Sequence, residues 1–91
     1  MANTKSAIKR HRQAERRRLR NRAVRSSART MVSRARAAID SQDPASAEQV
    51  RHAQSTLDVG VRKGVLHPNN AARRKSRLMK RLNAALAAGP A

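Results

Sequence analysis

The chain has 91 residues, with 22 Lys and Arg against 5 Asp and Glu, and a formal net charge of +17. Of its 35 hydrophobic residues 18 are Ala, only 17 are Val, Leu, Ile or Met, and Phe, Tyr, Trp and Cys are absent. Such a chain makes one small domain of marginal free stability. It holds little from which to build a rigid catalytic pocket, and no disulfide, thiolate metal site or thiol catalysis.

Breakers are sparse: none precedes Pro44, and the rest are Gly60, Gly64, Pro68 and Gly89-Pro90. The Ala-, Arg- and Leu-rich stretches between them are strong helix formers, and no segment reads as a strand. Helix one is predicted from about Lys5 to Asp40, with Asn3, Thr4 or Ser6 as its cap. Its second half carries an apolar stripe of Val24, Ala28, Met31, Val32, Ala35, Ala38 and Ile39, which is one helix face. Its first half has no stripe. Ile8 and Leu19 stand nearly alone among Lys9, Arg10, Arg12, Arg16, Arg17, Arg18, Arg20 and Arg22. At about 100° per residue those charges point all round the axis, so no single face of this half can dock on a protein core.

Helix two is predicted over about 44–63. Pro44 suits a first helical position after Asp43, and Ser46 with Gln49 offers an alternative capping-box start. Its apolar face is Ala47, Val50, Ala53, Leu57 and Val61; Gly60 permits a close neighbour, and Gly64 is a natural stop. Helix three is predicted over about 68–88, capped by His67 or an Asn, with Ala71, Ala72, Leu78, Met79, Leu82, Ala85 and Leu86 on its face. Lys75 interrupts that stripe, and its aliphatic stem can cover apolar surface while its ammonium reaches out. Short connections make consecutive helices antiparallel. The expected fold is therefore all-α: an antiparallel three-helix bundle with a long, projecting basic first helix, forming a single helical domain over residues 1–91.

Charge is unevenly spread: +12 over residues 1–36, −3 over 37–61 and +8 over 62–91. Seventeen uncompensated charges penalise a compact state unless a polyanion is present, and nucleic acid releases condensed counterions when its phosphates are neutralised. The acidic middle segment is expected to face away from that polyanion or to pack across the two basic ones. An anionic membrane surface is a second candidate, but the basic half of helix one lacks the wide apolar face this needs. No apolar run approaches the roughly 20 residues of a bilayer span, and none follows the basic N-terminus as a secretory signal would require. The Arg-rich, acid-poor N-terminus resembles an organellar transit peptide, but one is not expected here because the basic segment runs into the rest of the chain without a break.

No constellation carries catalysis. His11, His52 and His67 are far apart in sequence, Ser and Thr lack a positioned base, and helix capping accounts for Asp40 and Asp43. Asn21 to Arg29 looks somewhat like a leucine-zipper basic region, but the following seam is Ala-rich, has no Leu and ends at Pro44. Without aromatics the chain cannot stack unpaired bases on rings, so it should grip phosphates and read the shape of structured nucleic acid. Seventeen of the basic residues are Arg, whose forked donors suit phosphate, although genomic base composition explains that preference equally well.

Three blocks, in order, carry a resemblance over nearly the full length. Met1-Ala2-Asn3-Thr4-Lys5-Ser6-Ala7-Ile8-Lys9-Arg10 opens, and Arg20-Asn21-Arg22-Ala23-Val24-Arg25-Ser26 follows. Leu66-His67-Pro68-Asn69-Asn70-Ala71-Ala72-Arg73-Arg74-Lys75-Ser76-Arg77-Leu78-Met79-Lys80-Arg81-Leu82-Asn83 closes, and is the most specific. The sequence resembles the bacterial small ribosomal subunit protein number twenty family. The resemblance implies a three-helix bundle that binds small-subunit (16S) ribosomal RNA early, near the base of the subunit body, linking separate RNA helices. It implies a structural protein of the cytoplasmic ribosome, monomeric there, with no catalysis, cofactor, metal, small-molecule substrate or membrane. Pro68 stands where the family usually has Lys, and Asn70 where it often has Lys or Thr. No phosphate contact is carried over to those two positions, and Pro68 defines the start of helix three more sharply.

The candidate RNA-binding residues fall into two groups. On helix one they are Lys5, Lys9, Arg10, Arg12, Arg16, Arg17, Arg18, Arg20, Arg22, Arg25 and Arg29. At helix three they are His67, Asn69, Arg73, Arg74, Lys75, Arg77, Lys80 and Arg81. The first group is expected to thread between RNA helices and the second to grip another RNA segment, with the bundle fixing their separation. In the free chain residues 5 to about 20 are expected to be unfolded, because like charges at i,i+4 weaken an isolated helix. A DNA-compacting protein is the rival reading, since phosphate contacts carry no sequence information.

Overall fold

The computed structural model describes residues 4–88, in which three helices run Lys5–Asp40 (α1), Ser46–Arg62 (α2) and Pro68–Ala88 (α3), with no strand among them. Thr4 is the cap of α1: its extended backbone lets Oγ1 accept the Ala7 N–H at 3.2 Å. Of the other two cap candidates Ser6 lies within the helix, and Asn3, like the tail from Gly89, lies outside the described residues. The helix is continuous from Lys5, in contrast to the expectation that residues 5 to about 20 are unfolded. The docked half of α1 has already met the cost of nucleation, and extending a helix by Ala and Arg is near neutral per residue.

Two similar stops set the turns. At the end of α1 the Gln42 N–H donates to Ile39 O at 3.1 Å and the Asp43 N–H to Ala38 O at 3.0 Å. Gln42 takes the left-handed conformation this requires, φ 56°, at a cost Gly would avoid. At the end of α2 the Gly64 N–H donates to Val61 O and the Val65 N–H to Gly60 O, with Gly64 at φ 74°. The start of α2 lies two residues beyond Pro44. The Asp43 carboxylate accepts the Ala45 N–H at 2.8 Å and its carbonyl accepts the Ser46 N–H at 3.0 Å, so a turn occupies 43–45 before the helix begins. Ser46 is the first helical residue rather than a capping-box cap, and Ala45 precedes it with no side-chain cap. His67 caps α3, its Nδ1 accepting the Asn69 N–H at 3.1 Å, with Pro68 at the first helical position.

The core is a narrow seam. Ala28, Val32, Ala35 and Ile39 of α1 meet Val50, Ala53 and Leu57 of α2 and Ala71, Leu78 and Leu82 of α3. Ala38 is also buried, and Met31, Val61, Leu66 and Ala85 pack at its margin. Ala47, Ala72, Met79 and Leu86, assigned to apolar faces from the sequence, are exposed. Small Ala side chains draw the helices together over a strip about one residue wide per turn, and residues a step to either side face solvent. Fully burying a residue such as Leu57 contributes about 1.5–3 kcal/mol, and the seam holds few of that size.

The molecule measures 69 × 20 × 13 Å. The 36 residues of α1 account for about 54 Å of that length. The first residue of α1 to be buried is Ala28, and Arg25 just before it still lines a cleft with Val65, Leu66 and His67, so the helix projects past the bundle from about that point.

Gly60 lies directly against the Leu66 side chain. A Cβ there would lie 2.5 Å from Leu66 Cδ1 and 2.8 Å from its Cγ. Gly60→Val should therefore displace Leu66 and destabilise the bundle by about 1–3 kcal/mol. Urea unfolding should show a lower midpoint with an unchanged slope; an unchanged midpoint would mean that the Leu66 contact is not needed.

Candidate nucleic-acid interface

Along the projecting part of α1, Lys5, Lys9, Arg10, Arg12, Arg16, Arg17, Arg18, Arg20 and Arg22 are all exposed, on every side of the rod. Ile8 and Leu19 are 46% and 59% exposed, so no apolar stripe competes with them. The one acid here, Glu15, accepts from the Arg18 guanidinium at 3.0 Å. The remaining guanidinium and ammonium groups of this rod have no carboxylate partner among the described residues. A helix with donors all round its axis is complementary to a site with phosphate on several sides.

The second group is split by the bundle. Arg73 and Lys80 are exposed, while Arg74 and Lys75 are half-buried. Lys75 Nζ donates to Asp58 Oδ1 at 2.8 Å, tying α3 to α2. Arg81 makes a forked pair with Asp40, Nε to Oδ1 at 2.9 Å and the second nitrogen to Oδ2 at 2.8 Å, tying α3 to α1. Asp40 is therefore an ion-pair partner rather than a helix cap. Two of the four mid-chain carboxylates thus hold basic residues inside the fold, one of the two roles expected for that segment. His67 spends its Nδ1 on the helix cap and remains exposed with Asn69 at the start of α3.

The bundle also brings Arg25 and Arg29 of α1 beside α3. With Asn70, Arg74, Val65, Leu66 and His67 they line a cleft of about 270 Å³. A neighbouring cleft of about 230 Å³ is lined by Arg29, Ser33, Arg36, Arg74 and Arg77 with Val32 at its floor. Arg36 was absent from the sequence-based set. The signal that could have found it is its position one residue beyond Ala35, beside the apolar stripe rather than opposite it.

Among the described residues no group of three His, Asp or Glu side chains converges as a metal site, and no helix is long and apolar enough to cross a membrane.

The family sequence profile described as Ribosomal protein S20 matches residues 2–83. The chain belongs to that family. It is 56% identical over 85 residues to small ribosomal subunit protein bS20 of Thermomicrobium roseum, covering 92% of this chain and 86% of that protein. The bS20 of Roseiflexus sp. is 53% identical over 90 residues, 99% of each chain. The bS20 of Corynebacterium efficiens is 52% identical over 84 residues, 91% of this chain and 97% of its own. As an S20-family member the chain is a structural ribosomal protein and not an enzyme.

The charge on the rod sets a measurable property of the free protein. Repulsion between basic residues at i,i+4 weakens the undocked half of α1, and salt screens it over a Debye length of about 10 Å at 0.1 M. Raising ionic strength from about 0.01 to 0.5 M should increase the helical circular dichroism signal. A signal that falls or stays flat would show that repulsion does not govern this segment.

Proposed function

We propose that this S20-family chain binds small-subunit (16S) ribosomal RNA directly, by phosphate and shape contacts, and bridges RNA helices during assembly of the subunit. The observation that carries this reading is the 23-residue stretch of α1 before Ala28, basic on all sides and without a buried residue. Such a rod is favourable only where phosphates surround it, and a structured RNA offers that environment. The exposed basic residues of α3 take a second RNA segment, and the bundle between the two groups sets their separation. The chain acts as one RNA-binding helical domain, as a monomer within the ribosome. Its relatives' place in the small subunit puts it in the cytoplasmic ribosome. It needs no cofactor for this role, because the binding free energy comes from counterion release and hydrogen bonds to phosphate.

If about eight phosphates are neutralised, log affinity for the RNA should fall with log salt at a slope of roughly −6 to −7. A slope near −1 would contradict phosphate-dominated binding. Replacing Arg16, Arg17 and Arg18 together by Gln should weaken binding while leaving the preference between RNAs unchanged, because phosphate contacts position without specifying. Competition tests the DNA-compacting alternative: small-subunit RNA should displace duplex DNA from the protein, and the reverse result would favour that alternative.

A further inference from the structure

The seam between α1 and α3 has an unusual border. The core stripe of α1 runs Ala28, Val32, Ala35 and Ile39, and one residue beyond each stand Arg29, Ser33, Arg36 and Asp40. The core residues of α3 are Ala71, Leu78 and Leu82, and one residue before them stand Asn70, Arg77 and Arg81. Arg74, one turn beyond Asn70, completes that row. The two helices run the same way, because Arg29 shares a cleft with Arg74, Arg36 shares one with Arg77, and Asp40 pairs with Arg81. The two border rows are therefore in register.

Positions flanking a packed seam ordinarily carry opposite charges that pair across it. Here only the last level does so, Asp40 with Arg81. At the two levels before it Arg faces Arg. Among the described residues no carboxylate pairs with Arg29, Arg36, Arg74 or Arg77. Like charges facing each other across a seam oppose its closure. An anion lying between them reverses that sign, and Ser33 adds a neutral hydroxyl donor on the same wall. From Arg25 to Arg36 the row rises by about 16 Å, which suits an extended polyanion better than a single small anion.

We propose that the groove between α1 and α3 is a track for one sugar–phosphate strand of ribosomal RNA. Arg29 and Arg36 grip it from one rail and Arg74 and Arg77 from the other, and the Asp40–Arg81 pair closes the far end. This rests on the RNA-binding reading above and adds a site that the projecting rod does not share. Arg36 becomes a binding residue. Arg81 becomes a positioning residue, holding α3 against α1 so that the rails stay in register. Because both rails are needed, the site exists only in the folded bundle, and the strand that fills it stabilises the fold.

The test uses the full-length protein and a transcript of small-subunit ribosomal RNA. Arg36→Gln with Arg77→Gln should lower affinity about 10- to 100-fold near 0.15 M salt and make the salt slope shallower by about 2. Without RNA the same variant should melt at a higher temperature than the parent, because a repulsive pair has gone. Arg51→Gln with Arg62→Gln removes equal charge from the exposed side of α2 and should change affinity less than five-fold, an order-of-magnitude bound set by long-range charge alone. Parent-like affinity and slope in the Arg36/Arg77 variant would overturn the track, as would a lower melting temperature of that variant without RNA. If the Arg16/Arg17/Arg18 variant still binds weakly in that case, the broader RNA reading stands. If the parent itself fails to bind the transcript, the broader reading fails.

Discussion

Five carboxylates serve twenty-two cationic side chains in this protein, and the positions of those five decide which cations remain free. Asp58 and Asp40 are spent on Lys75 and Arg81, at the junctions of α3 with α2 and with α1. Asp43 is spent on the turn before α2. Glu15 takes one guanidinium of the rod, and Glu48 lies 3.9 Å from His52 on α2. Exposed pairs of this kind contribute roughly 0–1 kcal/mol each, so their effect on stability is small. Their effect on placement is larger, because they mark where the chain closes on itself. The cations they leave unpaired include those of the projecting rod and of the α1/α3 groove, where the proposed anion contacts fall.

A single helix with two environments follows from that allocation. From Ala28 to Ile39 small and branched apolar residues give α1 a side to dock, and the bundle forms there. Beyond Arg25, which still borders the start of α3, the same backbone continues away from the bundle. Helix propensity is indifferent to the change, since Ala and Arg are both good formers. Tertiary packing is not indifferent, and it stops where the stripe stops. The bundle acts as a base from which a stiff arm extends. The rod continues as unbroken helix into the bundle that carries the second basic group on α3, so in the proposed bridging role the two groups would hold RNA segments at a set distance.

Most of this was legible in the sequence. The spacing of Pro and Gly bounded the helices, and periodicity found the buried side of α1, because Val24 to Ile39 contrasts sharply with the surrounding Arg. The start of α2 lies later than the sequence suggests because Asp43 can cap a turn or a helix equally well, and only the chain path decides which. The buried faces of α2 and α3 are narrower than their periodicity suggests: Ala47, Ala72 and Leu86 fit the period but not the narrow contact that Ala-rich helices make. The stop at Gln42 gave no signal, since Gln has no preference for the left-handed conformation it adopts. Family resemblance named the basic residues of α3 as a set. It could not divide them, because whether Arg77 is free and Arg81 is paired depends on which of them sits level with Asp40.

The Ala-rich seam then connects the weakness of the core to the strength of the groove. Ala28, Ala35, Ala53 and Ala71 each remove less apolar surface from water than Leu would, and stability suffers accordingly. The same small side chains let packed helices approach closely. Packing of α1 against α3 sets Arg29 beside Arg74 and Arg36 beside Arg77. On the proposed track, larger core residues would stabilise the free bundle but move the two rails apart. A core poor in bulk and a border rich in like charge are thus two sides of one arrangement, in which, on the track proposed above, a bound polyanion would supply stability that the interior does not.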